Sequence, residues 1–300
     1  MHSGEIIDRR ESLKRITGLG AVMSGALATQ SVQAAKAADA FLADIGVCTA
    51  LNNHALLRQH GYAFVEETVP ALLLPDQPDE KFGERLQVLK ESSLPVPVCR
   101  IFLPGSLPCV GPNVKQDALL DYTGTVLRRA GEAGVTTIVF GSGGSRRVPD
   151  GFDAGRAREQ LIDFLRQILP VAARHGVTLA LEHLNRGETN MINRLAQAAE
   201  IVQTVDHPNL RMLVDIYHLL RENETPDEIV RAGRYIHHCH IAEPEKRKAP
   251  TTMKDDFRPY FSALKKAGYR GRLSIEAGWG DLPTELPLAL SVLRQQIAEA

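Results

Sequence analysis

The chain is poor in thiols. Its four cysteines, Cys48, Cys99, Cys109 and Cys239, include no C-x-x-C pair, so neither a thiolate metal clamp nor a dithiol redox motif is written in them. We read the first three as buried or unpaired thiols and Cys239 as a packing residue. Net charge is also nearly absent: the formal value is −1, and no basic stripe offers electrostatic support for a nucleic-acid partner. No apolar run reaches the ~20 residues of a membrane-spanning helix, so an integral membrane protein is excluded on that criterion. No G-x-G-x-x-G follows the first strand-like segment, which argues against a doubly wound dinucleotide-binding sheet.

What remains is ordinary globular material, 44% hydrophobic and 24% charged, in 300 residues. A (β/α)₈ barrel typically takes about 250 residues. Helix-like runs pass into strand-like runs through glycine at Gly61, Gly134, Gly176 and Gly268. Glycine just past a helix end closes the last turn. A strand following almost at once makes a short αβ loop, and the repetition implies βα units and a parallel sheet.

We therefore expect strands near 44–48, 61–66, 96–102, 135–140, 177–182, 210–215, 235–240 and 271–276. Helices are expected near 53–60, 80–92, 116–133, 155–175, 192–205, 226–234, 255–267 and 284–298. The clearest is 155–175, where Leu161, Ile162, Leu165, Ile168, Leu169 and Ala172 recur at helical spacing. Eight such pairs predict an α/β fold, a closed (β/α)₈ TIM barrel. The long loops, 67–79, 103–115, 141–154 and 241–254, follow strands, on the face where barrels carry their active sites.

Four strands in the second half end in metal-binding residues: Glu182, Asp215, His240 and Glu276. One such acid could be a strand-end group capping a neighbouring loop. Four in succession converge at one barrel mouth. Three carboxylates and one imidazole suit a hard or borderline dication, Mn²⁺ first, with Mg²⁺, Co²⁺ or Zn²⁺ as alternatives.

The motifs Glu182-His-Leu-Asn-Arg-Gly-Glu188-Thr-Asn, Asp215-Ile-Tyr-His218, His238-Cys-His240 and Ile275-Glu276 resemble the sugar isomerase/epimerase family with a xylose isomerase-like barrel. Ketose 3-epimerases and hydroxypyruvate-isomerase-like members are nearest in pattern, over about residue 44 to the end. The resemblance implies that Glu182, Asp215, His240 and Glu276 hold the metal and that Glu182 and Glu276 are the catalytic acid/base pair. It further implies that Glu188 hydrogen-bonds a sugar substrate. On the residues alone, Glu188 could also be a helix N-terminal acid. His218 could touch a substrate oxygen or orient a ligand. An arginine expected after His240 could be Arg247, with Lys246 competing for the place. Trp279, the only tryptophan, could stack on a sugar or pack over the mouth. His238 is expected to face the barrel interior and His237 the helices, by strand alternation. Gly141, Gly143 and Gly144, followed by Arg146 and Arg147, could pass a substrate or cradle a phosphate.

The expected reaction is isomerisation or epimerisation of a keto-sugar by proton abstraction α to a carbonyl. The alternatives are a metal-dependent lyase or dehydratase on an inosose or 3-keto-glycoside, and a non-catalytic sugar-binding protein. A homodimer or homotetramer is expected from barrels of this kind.

At the N-terminus, Asp8-Arg9-Arg10-Glu11-Ser12-Leu13-Lys14 resembles a twin-arginine export motif. A Gly- and Ala-rich segment and an A-x-A site at Ala35-Lys36-Ala37 follow. We expect residues 1–37 to be a cleaved leader, 38–300 the barrel domain, and the mature protein periplasmic.

Overall fold

Eight parallel strands close on themselves in the order β1-β2-β3-β4-β5-β6-β7-β8, and the last pairs with the first. The structure is a computed structural model, and it describes residues 41–300. Of the unit Met1–Ala43 only residues 41–43 are described, so the expected leader lies outside the described residues. The barrel occupies Asp44–Ala300.

The strands are β1 Ile45–Cys48, β2 Phe64–Thr68, β3 Val98–Arg100, β4 Thr137–Phe140, β5 Thr178–Glu182, β6 Leu210–Asp215, β7 Ile236–Ile241 and β8 Arg272–Ile275. Each overlaps its expected segment. The largest trimming is at β3, expected over 96–102. Pro95 and Pro97 cannot donate to a ladder, and Ile101 takes φ 60°, which ends the extended run.

The helix Ala154–Arg174 shows why the pattern was readable. Asp153 caps it, its carboxylate accepting from Arg156 N at 2.7 Å. All six residues of the expected apolar stripe are buried. Burial of each leucine or isoleucine contributes roughly 1.5–3 kcal/mol. Gly134 (φ 74°) and Gly176 (φ 69°) end their helices in the left-handed region, and β4 and β5 begin within a few residues.

Inside the barrel, Phe64, Val98, Val139, Ala180 and Leu213 form an apolar layer. Two residues further along β2, β5 and β6, on the same face, come Glu66, Glu182 and Asp215. The apolar layer is thus a floor on which the polar site stands.

Two features depart from expectation. A six-residue helix, Ile216–Arg221, starts directly at the end of β6, where a loop was expected. His237 does not face the helices. The β6–β7 register slips between Met212 and Leu213, so Ile236 and His238 are successive partners. His237 therefore reaches across the barrel, and its Nε2 lies 3.0 Å from Thr137 Oγ1 on β4. A bulge of this kind breaks the alternation on which the expectation rested.

Candidate metal centre

Glu182, Asp215, His240 and Glu276 each present a ligand atom, and these atoms lie within 4.8 Å of one another. They come from the ends of β5, β6, β7 and β8. The first three are buried and Glu276 is half-buried. Glu182 Oε1 is buried and has no hydrogen-bond partner. A buried carboxylate oxygen left unsatisfied is costly, and a cation among these four groups removes that cost. The donor set, three carboxylates and one imidazole, fits a divalent metal by chemistry and by placement.

His240 is oriented for this. Its Nε2 meets Glu66 Oε1 at 2.9 Å, and its Nδ1 lies 3.0 Å from Glu276 Oε2 and 3.6 Å from Glu182 Oε1. Glu66 also binds His238 Nε2 at 2.8 Å and accepts from Ser274 Oγ at 2.6 Å. Glu66 is fully buried, and the two imidazoles hold its carboxyl well below the usual range despite burial. The expectation that His238 faces the interior holds. Glu66 itself was missed: it lies on β2, before the acid-rich half, and only its parity with Phe64 marks it as inward-facing.

Asp215 serves two partners. Its Oδ1 accepts from Tyr217 N at 2.9 Å and caps the following helix. Its Oδ2 faces the cluster, 3.4 Å from His218 Nε2 and 3.2 Å from Arg247 Nη2. His218 is fixed from behind. Its Nδ1 receives Asn185 N at 3.2 Å and lies 2.9 Å from Asn185 Nδ2. Accepting there leaves the ring proton on Nε2, pointed at Asp215. Burial holds the ring neutral, well below its ordinary pKa.

Glu188 Oε1 accepts from Asn185 Nδ2 at 2.9 Å and from Arg247 Nη1 at 3.2 Å. Arg247 is thus the member of the Lys246/Arg247 pair that enters the site. Its Nη2 also reaches Glu276 Oε2 at 2.6 Å. Both residues have positive φ, 59° and 50°, and Lys246 instead lines a separate cavity with Lys248, Trp279 and Glu285. Trp279 is therefore not in the lining of the cavity that holds Glu182.

That cavity, ≈ 330 Å³, has a polar wall of Arg100, Glu182, Glu188, Arg247 and Glu276 facing Leu103, Pro104, Val139 and Leu184. Arg100, at the end of β3, was not anticipated; its Nη1 is 3.4 Å from Glu276 Oε1. The glycine turn after β4 serves Glu182. A Cβ on Gly141 would lie 2.2 Å from Glu182 Oε2. Arg146 is buried and donates to Glu182 O at 2.6 Å, and Arg147 donates to Glu188 O at 2.8 Å. Both arginines brace the β5 loop.

The acids differ in environment. Burial raises Glu182, and it pushes Asp215 up to about 7. Glu276, although burial opposes it, is held below the usual range by His240, Arg247 and Arg100. Glu182 and Glu276 thus border the same cavity in different electrostatic surroundings.

The sequence matches the family described as xylose isomerase-like TIM barrel over residues 54–296. The chain belongs to that family. Among curated relatives of this xylose isomerase-like barrel, a D-psicose 3-epimerase of Ruminiclostridium cellulolyticum is 32% identical over 119 residues, 39% of this chain and 40% of that protein. An L-ribulose 3-epimerase of Methylomonas sp. is 29% identical over 165 residues, 54% of this chain and 56% of that protein. The chain therefore spans about half or less of the length of these relatives. Among solved structures, a 3-keto-D-glucoside 4-epimerase from E. coli superposes with TM-score 0.69 at 23% identity, covering 84% of this chain and 99% of that one. That likeness shows the shared fold. Among the described residues, no helix is long and apolar enough to cross a membrane.

Proposed function

We propose that this chain is a divalent-metal-dependent sugar epimerase or isomerase that removes and returns a proton α to a carbonyl. The observation that carries the reading is the unpartnered Glu182 Oε1 inside a ring of Asp215, His240 and Glu276 ligand atoms. A dication held by these four residues supplies Lewis-acid stabilisation of negative charge developing on a substrate oxygen.

The chain's own groups do the rest. Arg247 and Glu188, linked at 3.2 Å, hold the substrate's polar edge. Arg247 is the planar, two-pronged donor suited to that task. His218 offers its Nε2 proton to a substrate oxygen. Glu182 and Glu276 exchange the substrate proton, one as base and the other as acid. The apolar residues Leu103, Pro104, Val139 and Leu184 exclude water from one side of the reacting carbon.

The similarity to psicose, ribulose and keto-glucoside epimerases favours a keto-sugar as substrate class. Mn²⁺ is the proposed ion, because the set is oxygen-rich with a single nitrogen. The reading includes export of the folded protein to the periplasm and self-association as a dimer or tetramer, the latter to be measured by light scattering. Its test is incubation of Mn²⁺-loaded protein with ketoses and 3-keto-glycosides in D₂O. Deuterium should enter an α-position of an epimerised or isomerised product, and chelation should abolish it. Full exchange in chelator, with no metal found by elemental analysis, would remove the proposal. Loss of a β-substituent in place of epimerisation would move the chain to the lyases.

A further inference from the structure

At the opposite end of the barrel from the metal cluster lies a cavity of ≈ 510 Å³. Its lining includes Val98, Thr137, Ile236 and Arg272, the residues with which β3, β4, β7 and β8 begin. It also includes Arg234, Arg270 and the paired His237 and His238, and it contains no Asp or Glu.

Three arginines thus line one hollow. Arg270 Nη1 donates to Tyr269 O at 3.3 Å. Arg234 lies over its neighbour's ring, 5.2 Å from the Tyr235 centroid, and its Nη2 donates to the Tyr235 hydroxyl at 3.3 Å; Arg272 lies 5.9 Å from the Phe64 centroid. The carboxylate in ion-pair range is the exposed Asp44, with Oδ2 4.0 Å from Arg272 Nε. Most of their donors, arranged as planar forks, therefore remain for another partner. Forks of this geometry match the oxygens of a phosphate or carboxylate.

The backbone under these arginines is fixed. Tyr269, buried, donates from its hydroxyl to Arg272 O at 2.6 Å and closes the Tyr269–Arg272 turn. Gly271 allows that closure, because a Cβ there would lie 2.4 Å from the Tyr269 hydroxyl and 2.6 Å from His237 O. The bulge in β7 turns His237 into the same hollow, where Thr137 Oγ1 holds its Nε2. A bulge that re-aims a side chain is a device often found beside functional sites. Like charges gathered with one exposed carboxylate beside them raise the local potential and concentrate anions.

We propose that this cavity is a binding site for a small oxyanion of the phosphate class, either free inorganic phosphate or the phosphate group of a metabolite. Arg270 and Arg272 take the anion's oxygens, with Arg234 at the rim. The site is separate from the metal centre and does not depend on the reaction proposed above.

The test is thermal unfolding and histidine-ring NMR of the full chain, in inorganic phosphate, a hexose phosphate and chloride at matched ionic strength. Phosphate at millimolar levels should raise the midpoint by a few degrees, on the order of what mass action gives well above Kd. It should also move the His237 ring signals, which are assigned with His237→Gln. The double variant Arg270→Gln/Arg272→Gln should bind at least roughly tenfold more weakly, a loss of about 1.4 kcal/mol. If that pair fails to fold, the exposed Arg234→Gln serves, with a smaller loss expected. Stronger binding of the hexose phosphate makes the ester the ligand, and equal or weaker binding makes it the inorganic ion. Equal midpoints in phosphate and chloride overturn the site. So does an unmoved His237 signal with a phosphate effect that survives these substitutions.

Discussion

His240 Nε2 and Glu66 Oε1 stand 2.9 Å apart in the barrel interior. The bond turns the imidazole so that Nδ1 is the nitrogen presented to Glu182 and Glu276. Carboxylates behind metal-facing histidines typically change metal affinity 10–100-fold when removed. Glu66→Gln should therefore weaken Mn²⁺ binding by roughly that factor, measured by calorimetry against chelator competition, with the fold retained by circular dichroism. Unchanged affinity would show that the Glu66 bond does not set the ring's orientation.

Glu182→Gln should lose roughly 10²–10⁴ in kcat, the scale of a general base. Glu188→Gln, one bond further from chemistry through Arg247, should lose on the order of 10–100-fold, expressed more in KM. Near-wild-type kinetics for both would contradict the assigned roles.

Gly141→Ala places a methyl carbon 2.2 Å from the present position of Glu182 Oε2. The carboxylate must leave its present position among the ligand atoms. Activity and metal content should fall together, approaching the Glu182→Gln level, while far-ultraviolet circular dichroism is preserved. A fully active, metal-loaded Gly141→Ala would mean that Glu182 has another productive rotamer.

His237 gives a pH signature away from the metal. Burial, with His238, Arg211 and Arg272 adding to it, lowers its pKa from 6.5 to about 4. The unfolded chain thus binds the proton more readily between those values, so stability should fall as pH drops from about 6.5 toward 4. With partial exposure discounted, the loss is on the order of 1–2 kcal/mol. Urea melts in phosphate-free buffer should show wild type losing more stability than His237→Gln over that window. Parallel curves would refute the assignment.

Export is tested in the cell. With Arg9→Lys and Arg10→Lys together, the proposed twin-arginine leader should fail, and the precursor should accumulate in the cytoplasm. Undiminished periplasmic recovery would argue against that route.

Much of the barrel was legible because its signals are local. Apolar spacing in 155–175, glycine after helices and acids at strand ends each depend on residues within a turn or two of one another. The four proposed metal ligands share this property, since each ends its own strand. Elements read less well where another part of the chain decides. The helix Ile216–Arg221 is too short for periodicity to show, and it is anchored by Asp215, which the sequence offers only as a candidate ligand. Strand alternation placed His238 correctly and His237 wrongly, because the slip that turns His237 inward is a property of the β6–β7 pairing.

The amino-acid order by itself determined the eight βα units, the direction of the strands and the four residues at their ends. Those follow from hydrophobic period, helix stops and side-chain chemistry, which act over a few residues. Only the tertiary structure decided that Glu66 bridges His238 and His240, that Arg247 and not Lys246 enters the site, and that Trp279 lines a different hollow. It also placed Arg100 beside Glu276 and gathered three arginines at the far end of the barrel. These relations join residues far apart in the chain, and ring closure with its local slips and left-handed turns, not sequence spacing, sets which of them meet.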